Sequence, residues 1–200
     1  MDKLVYLMVF ITILLAIASV ILLYKNRILY KQLQNHNNED FWRKLALTDD
    51  LTGIYNRTAY SEHINKIQNS HSSEFFGIVV FDVDDFKVIN DNEGHLEGDE
   101  ILKFVAQSIK SIFKPPMNSV YRIGGDEFAV ISRGTSEKDI IGLLIKLRKL
   151  MGEKSDIRLS NGYSVIQGDV LTAFREADEM LYADKASRKE RLYWKHSSYY

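Results

Sequence analysis

The chain has no cysteine and only two prolines among its 200 residues. Without cysteine there is no disulfide framework, no thiolate nucleophile and no Cys-ligated zinc. Scarce proline together with 46% apolar residues excludes a collagen-like or disordered chain. Neither sign of charge prevails: 26 Lys and Arg face 27 Asp and Glu, for a net charge of -1. That balance excludes a nucleic-acid binder relying on bulk positive charge, so no nucleic-acid partner is expected. The length suits one ordinary domain plus an appendage.

The even average conceals an asymmetry. Leu4 to Tyr24 carries no charged residue. As a helix this run spans roughly 30 Å, the thickness of a bilayer's hydrocarbon core. Lys25 and Arg27 follow directly, where a cleaved leader would show a shorter apolar run and small residues. The segment therefore reads as an uncleaved anchor with lipid as its partner. Lys25, Arg27, Lys31, Arg43 and Lys44 flank its far side and only Lys3 its near side, which places the rest of the chain in the cytoplasm. The expected organisation is a short extracytoplasmic N-terminus at 1–3, a transmembrane helix at 4–24, a helical stalk at 25–46, a catalytic-size domain at 47–192 and a tail at 193–200. With three residues ahead of the anchor, no receptor outside the membrane is expected. The stalk has a poor heptad record, so a coiled coil and a solvated helix both remain open.

From Thr48 onward helix and strand patterns alternate. Asn56 can cap a helix carrying Tyr60, Ile64 and Ile67 on one face. Phe75–Phe81 is a short β-branched apolar run, as in a buried strand. A helix is expected over 99–113, stopped by Pro115-Pro116. Strands are expected over 120–123 and 127–132, with Gly124-Gly125 supplying positive φ for a tight hairpin. Ser136 with Asp139 opens a helix that Gly152 closes, a strand region covers 157–166, and a last helix covers 171–185. This order gives a central antiparallel sheet with helices packed on it.

The strand Phe75–Phe81 runs straight into Asp82-Val83-Asp84-Asp85. Carboxylates crowded at a strand end need solvent or a cation. Asp126 and Glu127 follow the Gly-Gly turn, so adjacent strands would bring Asp82 and Asp126 to one rim. Oxygen ligands with no His or Cys suit Mg²⁺ and phosphoryl transfer. A calcium EF-hand is excluded, because Phe86 and Lys87 stand where its loop needs Asp or Asn and then Gly.

Four ordered segments, covering about 140 residues, resemble the GGDEF family of diguanylate cyclases. Asp50–Arg57 is similar to DxLTGLxNR. Asp82–Asp99 reads DVDDFKVINDNEGHLEGD, which matches DxDxFKxxNDxxGHxxGD. Arg122–Phe128 contains the signature itself, and Ala177–Lys185 is similar to ADxALYxAK. The resemblance implies an α/β domain of nucleotidyl-cyclase and polymerase-palm type, with a mainly antiparallel sheet and flanking helices after one N-terminal transmembrane helix. It implies a homodimer condensing two GTP into cyclic di-GMP and two pyrophosphates, with Mg²⁺ or Mn²⁺, at the inner or plasma membrane of a bacterium.

By the same resemblance, Asp82, Asp126 and the Val83 carbonyl hold the metal. Asp126 accepts the 3′-hydroxyl proton, and Glu127 assists at a second metal. Asn90 and Asp99 bind guanine, with Asp99 suited to donors that adenine lacks. Lys87, Lys185 and Lys189 meet phosphates. Gly124 and Gly125 let the backbone approach the nucleotide, and Phe86, by residue type a core aromatic, lines the substrate site. Arg57 is expected to tie the start of the domain to its body.

Two departures stand out. The family's Arg-x-x-Asp inhibitory site is replaced by Pro115 and Asn118. After Lys185 the family's xxGRN is replaced, with Arg188 at the Gly position and Lys189 at the Arg position, so a bidentate fork is lost. The alternative to an active cyclase is a catalytically inactive GGDEF module that binds GTP or a protein partner at the membrane.

Overall fold

The computed structural model describes residues 2–70, 74–167 and 169–197, without the side chains of residues 2–7, 9, 16, 30, 32–40 and 189–197. The chain divides into two compact units, residues 1–46 and 47–200. The first unit is a single helix, α1, whose full extent is Asp2–Leu47. By length and composition its stretch Phe10–Leu29 could cross a membrane, and the described side chains there are exposed. The window expected from sequence, 4–24, overlaps it, offset toward residues whose side chains are outside the described set.

The second unit is built on a four-stranded sheet. In chain order it contains α2 (Arg57–Asn69), β1 (Phe75–Val83), α3 (Phe86–Glu93), α4 (His95–Ile112), β2 (Asn118–Arg122), β3 (Glu127–Arg133), α5 (Glu137–Lys154), β4 (Leu159–Gln167) and α6 (Val170–Ser197). The strand order is β2-β3-β1-β4, and every pairing is antiparallel. β1 lies centrally, which explains its near-continuous apolar run: both its faces are covered.

Strand period sorts the core into two layers. Phe76, Ile78 and Val80 face α2 and α6, joined by Ala129 and Ile131 of β3. Val79, Phe81 and Val83 face the opposite way, against Leu102, Val105 and Ile109 of α4 and Leu147 of α5. The caps follow side-chain chemistry. The Asn56 carboxamide accepts the Ala59 N–H at 3.0 Å, and Ser136 forms a reciprocal capping box with Asp139.

The structure departs from the sequence reading in several places. The helix expected from residue 99 begins at His95, and α3 precedes it. Gly94, at φ +89, makes the break between them. α5 runs through Gly152 to Lys154, and α6 continues past Lys185 to Ser197. Neither Gly124 nor Gly125 takes a left-handed φ. The turn there is a four-residue loop, closed by Ile123 N–H on the Glu127 carbonyl at 2.9 Å, so the tight two-residue geometry is not needed.

Gly162 decides how closely α6 approaches the sheet. A Cβ at that position would lie 2.0 Å from the Ala177 carbonyl oxygen and 2.4 Å from the Leu181 nitrogen, both helix backbone. Gly162→Val should therefore push α6 off β4 and destabilise the domain by about 3 kcal/mol, read as a lowered midpoint in thermal or denaturant unfolding.

His63 supplies a pH prediction. Its Nδ1 meets the Tyr121 hydroxyl in a short hydrogen bond. Burial, then the charges of Arg133 and Lys66, lower its pKa below the ordinary imidazole value. The folded state thus favours neutral His63, so its contribution is complete above the unfolded pKa of about 6.5 and is lost as pH falls toward the lowered one. The melting temperature of the wild-type chain should fall more between pH 7.5 and 5.5 than that of a His63→Gln chain.

Candidate active site

The register of β1 assembles the acidic site. Asp82, on its last turn of pleat, stands opposite Glu127 of β3 on one side and Ser160 of β4 on the other. Beside it the Val83 N–H donates to the Asp126 carbonyl at 3.2 Å. The two carboxylates that the sequence placed on separate strands are thus on neighbouring positions of one rim. Both line a cleft of about 760 Å³, together with Val83, Phe86, Lys87 and Lys185.

Parity then selects the partner helix. Asp82 falls on the same face of β1 as Phe76, Ile78 and Val80, the face covered by α6. Lys185 of α6 reaches it, with Nζ 2.5 Å from Oδ2. Asp82 is buried, with 7% of its surface exposed. Burial pushes its carboxyl up, Lys185 pulls it down, and the charges of Asp126 and Glu127 push it up again; the net direction is upward. A divalent cation would reverse that direction, and the donors present, two carboxylates and the Val83 carbonyl, are the hard oxygens that Mg²⁺ takes. Among the described residues no three His, Cys, Asp or Glu side chains cluster as a ready-made metal cage. The donor set fits an ion that keeps phosphate oxygens and waters as its other ligands.

Asp84 is neutralised separately. It accepts from Arg188 Nη1 at 2.5 Å and from the Ser160 hydroxyl at 2.5 Å. Arg188 also donates to the Leu159 carbonyl at 2.8 Å and to Asp184 at 3.1 Å, and Asp184 accepts the Asn161 N–H at 3.1 Å. This network binds α6 to the ends of β1 and β4. Sequence reasoning missed it; the available signal was the spacing of Asp184, Lys185 and Arg188 on one helix. Asp85 has a left-handed backbone, φ 57, and opens α3 from an exposed position.

The remaining site residues fall elsewhere. Asn90 and Asp99 belong to α3 and α4 and do not line the cleft. Asn90 reaches across the Gly94 turn to Gly98, the residue before Asp99; its buried Oδ1 has no hydrogen-bond partner among the described residues and would lie 1.9 Å from a Cβ on Gly98. Glu127 is folded back over Gly124, whose ideal Cβ would be 2.3 Å from Glu127 Oε2. A side chain at Gly124 would displace the exposed Glu127 carboxylate from this position, while a Cβ on Gly125 would meet open space. The side chain of Lys189 lies outside the described residues.

The tie expected of Arg57 is made by another arginine. Arg122 Nη1 donates to Asp49 Oδ1 at 3.2 Å, and its Nη2 to the Gly125 carbonyl at 2.7 Å. Asp49 also accepts the Thr52 N–H at 2.9 Å and its hydroxyl at 2.6 Å. Burial raises the Asp49 carboxyl, but the Thr52 and Arg122 contacts outweigh it and the net direction is downward. The entry segment and the signature turn are therefore held by one guanidinium.

A family profile described as "Diguanylate cyclase, GGDEF domain" matches residues 46–191. The chain belongs to the GGDEF family. It is 33% identical over 169 residues to the diguanylate cyclase DgcP of Pseudomonas aeruginosa, covering 78% of this chain and 25% of that protein. It is 32% identical over 163 residues to the diguanylate cyclase VdcA of Vibrio cholerae, covering 75% and 47% respectively. The chain therefore spans a quarter to about half the length of these relatives. The crystal structure of the coiled coil and GGDEF domain of DgcB from Caulobacter crescentus, in complex with c-di-GMP, superposes with a TM-score of 0.70. Its identity is 26%, over 82% of this chain and 93% of that one.

The Arg188 network of this GGDEF domain generates a test. Arg188→Ala leaves Asp84 with Ser160 alone and removes a half-buried charge partner. It should cost about 1–2 kcal/mol of domain stability, and the effect should be far smaller in an Asp84→Asn background, as a double-mutant unfolding cycle would register.

Proposed function

We propose that this chain is a membrane-anchored diguanylate cyclase, joining two GTP molecules into cyclic di-GMP. The observation that carries the reading is the convergence of Asp82, at the end of β1, and Asp126, in the loop that leads into the adjacent β3, on one cleft, with Lys185 beside Asp82. The 3′-hydroxyl of each GTP attacks the α-phosphorus of the other. A new P–O bond forms, pyrophosphate leaves, and the hydroxyl proton passes to the Asp126 carboxylate. Mg²⁺ or Mn²⁺, held by Asp82, Asp126 and the Val83 carbonyl with Glu127 near a second ion, would supply positive charge against the phosphates.

The chain's own groups do the positioning. Asn90 and Asp99 take the guanine edge at the α3–α4 corner, where Asn90 Oδ1 lacks a partner. Phe86 and Lys87, opening α3, border the phosphate side of the cleft. Gly124 leaves room for the Glu127 side chain to fold back over it. One domain offers one GTP site, so two domains must face each other, and a homodimer held at the bacterial inner membrane by the apolar part of α1 meets that need.

A second reading has its own support: Lys185 and Arg188 already neutralise Asp82 and Asp84, as a regulatory module retaining the fold would require. The two separate in one assay. The full chain in detergent, given GTP and Mg²⁺, should release cyclic di-GMP detected by chromatography, and Asp126→Ala should lower the rate more than about a hundred-fold with the melting temperature kept. GTP binding with no product in the wild type would select the module.

Feedback inhibition through the Arg-x-x-Asp site should be absent. Pro115 has no donor side chain, and Asn118, whose Nδ2 donates to the Lys114 carbonyl at 2.9 Å, is uncharged where the family has a carboxylate. Titrating cyclic di-GMP into the working enzyme should give no non-competitive inhibition; strong inhibition of that type would refute the prediction.

A further inference from the structure

Five cations line the catalytic cleft: Lys87, Arg148, Arg158, Lys185 and Arg188. Two are committed. Lys185 is paired with Asp82, and Arg188 with Asp84 and Asp184. Among the described residues no ion pair engages Arg148, of α5, or Arg158, which directly precedes β4. Both are exposed, and both also line an adjoining cavity of about 340 Å³ floored by Phe81, Leu147 and Met151. They therefore share one end of the cleft. The Arg158 backbone is anchored there, since its carbonyl accepts the Asp84 N–H at 3.0 Å.

We infer that Arg148 and Arg158 bind the distal phosphates of the nucleotide. This inference rests on the guanine-nucleotide reading above. Charge supports the assignment. A nucleoside triphosphate carries about four negative charges, and a divalent ion shared with Asp82 and Asp126 leaves most of them to the cations of the cleft, of which Arg148, Arg158 and Lys87 have no ion pair among the described residues. Arg188 is not available for that task without abandoning two carboxylates, and Lys185 is released toward phosphate only when a cation takes its place on Asp82. The exchanges at positions 188 and 189 remove the family's fork from the end of α6, and the two arginines on α5 and before β4 offer planar forks at the same cleft. Both guanidinium groups are exposed and without an ion pair among the described residues, so on this assignment they contribute to affinity for the triphosphate and little to affinity for the nucleoside.

The test uses the full chain in detergent with Mg²⁺ and two probes, measured by calorimetry. One probe is the α,β-methylene analogue of GTP, which cannot lose pyrophosphate; the other is GMP. Arg148→Met and Arg158→Met should each weaken the analogue about ten-fold, as for a hydrogen bond to a charged group. GMP binding should stay within about two-fold. The Lys variants should recover part of the loss, and the salt dependence of analogue binding should flatten in the double Met variant. Unchanged analogue affinity in the double Met variant overturns the inference and leaves the cyclase reading intact. Equal losses for GMP and the analogue overturn it too, since they mark a structural effect. A wild-type chain that binds neither probe overturns the inference and the guanine-nucleotide reading together.

Discussion

The site depends on the antiparallel register of β1 between β3 and β4. That register sets Asp82 opposite Glu127 and Ser160, with Asp126 bonded to the next residue along. A slip of one residue would turn Asp82 to the opposite face, among Phe81's neighbours on α4 and α5, where an ionised carboxylate would have no partner. The apolar alternation of β1 forbids such a slip, because Phe76, Ile78 and Val80 would change faces at the same time. Core packing and acid placement are thus one constraint.

Placing an acid at a buried strand end is costly, and α6 carries the compensation. The helix comes close because Gly162 has no side chain and Ala173 and Ala177 are small and buried. Its continuation then delivers Lys185 to Asp82 and Arg188 to Asp84, three residues apart on one helical face. On the other side of the turn, Arg122 joins Asp49 to the Gly125 carbonyl. The signature loop is therefore braced from the chain entry, while the acidic strand end is braced from the final helix. Both braces are ion pairs with hydrogen bonds to backbone, which sets direction as well as charge.

Much of this was legible from residue order. The apolar run of β1, the Asn56 cap and the Ser136 capping box followed from side-chain chemistry acting over three or four residues. The ordered motifs identified the family and the acid pair. The brace at Asp49 was less legible: the quoted motif began at Asp50, one residue late, and Arg57 was assigned the role that Arg122 fills. A salt bridge between residues separated by 73 positions leaves no periodic trace. The positive φ assigned to Gly124-Gly125 also failed, because loop length, which the strand ends decide, selects the turn.

Residue order alone determined that a charge-free N-terminal run precedes an α/β domain, that two acidic segments end separate strands, and that neither metal-binding cysteine nor bulk positive charge takes part. These are matters of composition and local period, which act between near neighbours. Tertiary structure decided which cation meets which acid, why Gly162 must lack a side chain, and that the Oδ1 of the half-buried Asn90 is enclosed between α3 and α4. Those outcomes depend on distances between elements far apart in the chain, and such distances exist only once both layers of the sheet are packed.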